Sequence, residues 1–134
     1  MDKISHIGIV VADLAESIKI YSEILGSRPA AIEEIPDQKV RVAIFRPAGL
    51  DGTAVELISP VSDDSPVSRY LKKRGEGLHH ISLTVPDLHG KIDSLKKNNF
   101  KMIDEIPRPG AEGKKIAFVH PSSTSGVLIE FEQD

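Results

Sequence analysis

His6 and Glu56 stand fifty positions apart in the sequence, and so do His80 and Glu130. Taken singly, each has an ordinary explanation, because a histidine or glutamate in a strand usually meets water. The repeated spacing changes that reading. If the two pairs converge on one cleft, they form a His2Glu2 set, a donor combination suited to a divalent first-row ion of borderline hardness. Four protein ligands on an octahedral ion leave two adjacent positions, which a substrate with two oxygens in chelating relation can fill. Such an ion acts as a Lewis acid toward negative charge growing on a carbonyl oxygen. The chemistry best served is proton abstraction beside a carbonyl, giving a metal-bound enolate. A glutamate at the rim of the coordination sphere serves as base, and one on the opposite side returns the proton.

The elements that must position these residues form an internal repeat. Moved by 74 residues, His6-Ile7-Gly8-Ile9-Val10-Val11-Ala12-Asp13-Leu14 falls on His80-Ile81-Ser82-Leu83-Thr84-Val85-Pro86-Asp87-Leu88. Without a gap, Ile18 then falls on Ile92, Pro47 on Pro121, Gly52 on Gly126 and Glu56 on Glu130. Two modules, about 4–58 and 78–134, are joined by a connector over 59–77, and each is too small to bury a sufficient core alone. The whole chain, 1–134, is therefore expected to be a single domain.

Each module opens with a period-2 segment, 4–11 or 78–85, that reads as a strand. Ile81, Leu83 and Val85 share one face of the second, and His80, Ser82 and Thr84 share the other. Asp13 and Asp87 are placed as helix caps. Leu14, Ile18, Tyr21 and Leu25 follow helical spacing, Glu16 completes a capping box, and Gly26 ends the helix. The second helix repeats this with Leu88, Ile92 and Leu95 and ends near Asn98-Asn99. Strands are expected at about 29–35, 39–46 and 53–58, then at 101–106, 114–119 and 126–132. The order is βαβββ twice, an α+β fold with a curved mixed sheet around a metal cleft. Ser65-Pro66 opens a short connector helix to about Arg74, ended by Gly75-Glu76-Gly77.

Composition removes several classes of function. Forty per cent of the 134 residues are apolar and 28% charged, enough for a packed core. Dispersed basic residues, a net charge of −3 and six aromatics argue against nucleic acid. No apolar run approaches the roughly 20 residues of a membrane span, and the N-terminus lacks a signal-peptide pattern. A soluble, cytoplasmic domain is expected. With no cysteine, a metal site must use His, Asp or Glu.

Other candidates are weighed against plainer roles. His79 aligns with Ser5, points away from His80 and reads as structural, and His89 reads as a solvated helical residue. His120, in a turn before Pro121, reads as structural, with a place at a cleft rim as the alternative. Lys72-Lys73-Arg74 reads as a solvated helix end that could also grip phosphates. Gly110-Ala111-Glu112-Gly113-Lys114 has the look of a flexible loop near an anionic ligand and lacks P-loop spacing.

The chain resembles the vicinal oxygen chelate, or glyoxalase, superfamily, and within it the methylmalonyl-CoA epimerases. The residues that carry the resemblance are His6-Ile7-Gly8-Ile9, Ser65-Pro66-Val67-Ser68-Arg69-Tyr70-Leu71 and Gly75-Glu76-Gly77-Leu78-His79-His80-Ile81. Further on they are Pro107-Arg108, Gly110-Ala111, Gly113-Lys114, and His120-Pro121 leading to Gly126-Val127-Leu128-Ile129-Glu130. The resemblance implies an isomerase that interconverts (R)- and (S)-methylmalonyl-CoA through a metal-stabilised enolate, a step of propionate metabolism. It implies a divalent ion, Co(II) first and Zn(II), Ni(II) or Mn(II) next, held by His6, Glu56, His80 and Glu130. It also implies an acyl-CoA substrate and a homodimer. Some relatives carry a glutamate in the strand near 40–44. Here that stretch is Val40-Arg41-Val42-Ala43-Ile44, so Glu130 and Glu56 are expected to be the two bases. Many relatives have lysine after the His-Pro pair, where this chain has Ser122-Ser123. Lys72, Lys73, Lys114 and His120 are therefore the candidates for contact with the substrate.

A glyoxalase I (lactoylglutathione lyase) would share these ligands and the enediolate logic, but the segments around 75–81 and 107–114 fit the epimerase better. An extradiol dioxygenase needs two His and one carboxylate with more open positions, so Glu56 argues against it. A metal-free small-molecule-binding protein of the same fold need not keep four ligand-competent side chains in register.

Overall fold

The caps expected from the sequence start the helices. Asp13 accepts a hydrogen bond from the Glu16 amide (3.1 Å), and α1 runs from Leu14 to Leu25. It ends where Gly26, at φ 69°, returns its N–H to the Ser22 carbonyl, in the left-handed conformation that glycine adopts without a Cβ clash. Ser65 caps α2 (Pro66–Arg74) through the Val67 amide. Asp87 caps α3 (Leu88–Lys97) through the Gly90 amide.

A computed structural model describes residues 1–49 and 51–134. Its strands are β1 (Lys3–Val10), β2 (Ala31–Ile35), β3 (Val40–Phe45), β4 (Ala54–Pro60), β5 (Gly77–Thr84), β6 (Arg108–Pro109), β7 (Lys115–Val119) and β8 (Ile129–Gln133). The chain forms two compact units, Ile7–His79 and Met1–His6 with His80–Asp134. The first and fifth strands each run from one unit into the other.

In the unit Ile7–His79, β2, β3 and β4 form an antiparallel ladder. Val11, Ala43, Phe45 and Leu57 make its core, with Ile18 and Tyr21 of α1 packed on it. In the other unit β8 pairs parallel with β5 and antiparallel with β7, which pairs with β6. Its core is Val85, Leu88, Ile92, Ala117, Val119 and Phe131. Full burial of a side chain such as Ile92 contributes about 1.5–3 kcal/mol.

The repeat is kept in register. Ile44 pairs with Glu56 between β3 and β4, and 74 residues on Phe118 pairs with Glu130 between β7 and β8. The Val11 amide donates to the Ile58 carbonyl just as the Val85 amide donates to that of Glu132, both at 2.9 Å. βαβββ is thus observed twice, giving the expected α+β class.

The strand expected at 101–106 is absent. Met102 makes a single bridge to Val119. The Ile103 and Asp104 amides then both approach the Phe118 carbonyl, while the Asp104 carboxylate accepts the Phe118 amide (2.9 Å). The backbone curls around one residue of β7 instead of continuing a ladder, and Pro107 has no amide to extend it. The last strand starts three residues later than expected. Ser125 (φ 57°) and Gly126 (φ 90°) form a turn closed by the Gly126 amide on the Pro121 carbonyl.

Candidate metal centre

In β5 and β8, alternation sends apolar side chains to the α3 side and polar ones to the opposite face. Leu83, Val85, Ile129 and Phe131 join the core, while His80, Ser82, Glu130 and Glu132 are buried on the other side. Ser82 stands opposite Glu130 in the parallel ladder, and Phe118 stands opposite it in the antiparallel one. His6 comes from β1. The rings of His6 and His80 meet edge to face at 5.1 Å, and Phe118 lies edge to face against His80 at 5.5 Å.

Three ligand-competent atoms converge. His6 Nε2 is 3.0 Å from His80 Nε2 and 3.2 Å from Glu130 Oε1, and His80 Nε2 is 3.9 Å from Glu130 Oε1. All three residues are no more than 6% exposed. Glu130 Oε1 and Ser82 Oγ are buried without a well-formed hydrogen bond, a costly condition unless something else satisfies them. Burial pushes the Glu130 carboxyl up, but His6 and His80 beside it outweigh this and hold it below its ordinary value.

These atoms fit a divalent ion. Ligands about 2.1 Å from a common ion and at right angles to each other lie about 3 Å apart, close to the separations of His6 Nε2 from its two neighbours. Two imidazole nitrogens and a carboxylate oxygen also match the donor preferences of first-row divalent metals.

Residues 5–118 match the family described as the glyoxalase/bleomycin resistance protein/dioxygenase superfamily. The chain belongs to that superfamily. The uncharacterised protein YqjC of Bacillus subtilis (strain 168) is 40% identical over 130 residues, 97% of this chain and 91% of its own. The mitochondrial methylmalonyl-CoA epimerase of Dictyostelium discoideum is 37% identical over 132 residues, 98% of this chain and 78% of its own. A variant of Streptomyces coelicolor methylmalonyl-CoA epimerase, solved with 2-nitronate-propionyl-CoA, superposes with a TM-score of 0.92 at 29% identity. That match covers 100% of this chain and 95% of the other.

Within this superfamily chain, three of the four expected ligands form the cluster, His6, His80 and Glu130. Glu56 is buried in β4 of the other unit, at the ladder position equivalent to Glu130. His79 packs edge to face on Tyr70 at 4.8 Å, and His89 is exposed on α3. His120 Nδ1 accepts the Ser122 amide and so caps a short 3-10 turn, Pro121–Ser123. Lys72 and Lys73 are exposed in the last turn of α2. The Lys114 ammonium pairs with Glu132 (3.2 Å) and Asp134 (3.7 Å).

One residue at this centre escaped the sequence reading. Glu132 is 5% exposed, with Oε2 3.7 Å from His6 Nδ1. Period-2 parity with Glu130 was the available signal. The repeat concealed it, because the equivalent position in the first half is Ile58.

Proposed function

We infer that the protein is an epimerase that interconverts (R)- and (S)-methylmalonyl-CoA. The observation that carries this is the buried His6–His80–Glu130 cluster in a chain so close, over nearly its full length, to methylmalonyl-CoA epimerases. The α-carbon of the substrate lies between a thioester carbonyl and a carboxylate. Loss of its hydrogen as a proton leaves the electron pair delocalised into the thioester, and return of a proton to the opposite face gives the other epimer. No oxidant or reductant is needed.

His6, His80 and Glu130 would hold a divalent ion, which when bound supplies Lewis acidity for the charge growing on the thioester oxygen. Glu130, held ionised at neutral pH by its neighbours, serves as one base at a carboxylate oxygen. Glu56 is proposed as the second carboxylate, ligand and base, on the strength of its equivalent register in the repeat. Burial of Glu130 against Phe118 and the strand backbone limits water at the reacting face.

The finer assignments are also proposals. Co(II) is the preferred ion, with Zn(II), Ni(II) or Mn(II) as substitutes. Lys72 and Lys73 present cations suited to CoA phosphates, and Lys114 and His120 complete the proposed substrate contacts. The protein is placed in the cytoplasm, in propionate metabolism, as a homodimer.

Proton NMR of methylmalonyl-CoA in deuterium oxide tests the activity. With protein and Co(II), the α-proton signal should vanish and the methyl doublet collapse to a singlet. An unchanged spectrum, together with isomerisation of the glutathione–methylglyoxal hemithioacetal, would replace this reading with a glyoxalase.

A further inference from the structure

We propose that Ser82 is a positioning residue of the metal centre, whose hydroxyl donates to the Glu130 carboxylate when that carboxylate ligates an ion and so fixes the orientation of the ligand. The inference rests on the metal reading above, and metal binding tests it without any measurement of turnover.

Ser82 is fully buried and stands directly opposite Glu130 in the parallel ladder of β5 and β8. Strand alternation puts its side chain on the polar face, the face of His80 two residues before it. Among the described residues three buried side-chain atoms lack a well-formed hydrogen bond, and two of them are Ser82 Oγ and Glu130 Oε1. The hydroxyl is nevertheless close enough to act on the Glu130 carboxyl. A buried hydroxyl without a partner is costly, so its retention beside an acceptor in the same condition points to a bond completed by a third component. A carboxylate that ligates a cation carries no proton. With an ion in the centre, the hydrogen bond can therefore run in one direction only, from the Ser82 hydroxyl to Glu130.

Neither the repeat nor packing accounts for this serine. The equivalent residue of the first module is Gly8, which carries no hydroxyl. Alanine would fill nearly the same volume without burying an oxygen, so the oxygen itself is what the position retains. Ligating carboxylates are commonly held by such outer hydrogen bonds, and loss of one typically weakens metal affinity about 10–100-fold.

The test uses the full chain and the variants Ser82→Ala and Ser82→Thr, with Co(II) as the probe. Ser82→Ala should raise the Kd for Co(II) about 10–100-fold and alter the Co(II) absorption spectrum. Its melting temperature without metal should equal or exceed that of the parent, because the hydroxyl it removes lacks a good partner there. Ser82→Thr, which keeps the hydroxyl, should bring back the parent spectrum and Kd. A parent-like Kd and spectrum in Ser82→Ala would overturn the proposal while leaving the metal reading intact. So would a lower melting temperature of metal-free Ser82→Ala, which would make Ser82 a residue of the fold and not of the centre. If the parent binds no Co(II), the metal reading fails and the role of Ser82 fails with it.

Discussion

The Nε2 atoms of His6 and His80 face each other at 3.0 Å in a buried centre, with Glu130 Oε1 3.2 Å from the first of them. Two nitrogen lone pairs cannot sit at that separation with nothing between them. Either one ring donates a proton to the other, or a cation is shared. The second arrangement also satisfies the buried Glu130 oxygen, which the first leaves without a good partner.

Purified protein loaded with Co(II) is therefore expected to bind about one ion per chain. Replacing His80 by Ala or Glu130 by Ala should weaken binding by more than about 100-fold, beyond the range ascribed to outer partners. Elemental analysis after dialysis measures this, and stoichiometric retention by both variants would remove these residues from the site.

Glu56 tests the functional meaning of the repeat. Glu56→Gln keeps the size and one acceptor oxygen but loses the basic carboxylate. It should reduce α-proton exchange by about 100-fold or more, in the range of general acid–base contributions, while metal content falls little. Unchanged turnover would take Glu56 out of the mechanism.

The pH dependence of metal-free stability follows from Glu130. Its carboxyl lies below the ordinary value of 4.5 in the folded protein, so the fold favours the ionised form. Its contribution is therefore present above pH 4.5 and lost as pH falls through the lower folded value. The difference in melting temperature between the parent and Glu130→Gln should hold above pH 4.5 and shrink as pH falls below it, as calorimetry of the two can show. A constant difference would mean that the charge is not stabilised by folding.

Asp104 replaces the missing strand at 101–106 with a side-chain anchor on the Phe118 amide. Asp104→Ala leaves that amide without its acceptor and should cost about 1–3 kcal/mol in urea unfolding. Because Phe118 packs on His80, the same variant should also broaden the His80 ring resonances. Parent-like stability would show that water takes over the bond.

Much of the fold was legible because its signals are local. Asp13, Ser65 and Asp87 act as caps because a short oxygen-bearing side chain can reach an amide two or three residues ahead. The equivalence of Glu56 and Glu130 was legible because the repeat needs no gap. The segment 101–106 was misread because an inward-turning Asp104 and a single bridge at Met102 leave no trace in residue periodicity. Lys114 stands in the sequence as a candidate for substrate contact, and its pairing with Glu132, 18 residues away, has no local signal.

The sequence by itself determined the βαβββ repeat and the helix limits, and pointed to His6, Glu56, His80 and Glu130 as one candidate centre. Period, capping and duplication are properties of neighbouring or equivalently spaced residues. The tertiary structure alone decided that ligand atoms of His6, His80 and Glu130 converge within 4.8 Å and that Glu132 lies beside His6. Those facts depend on which side chains from distant strands share one buried volume.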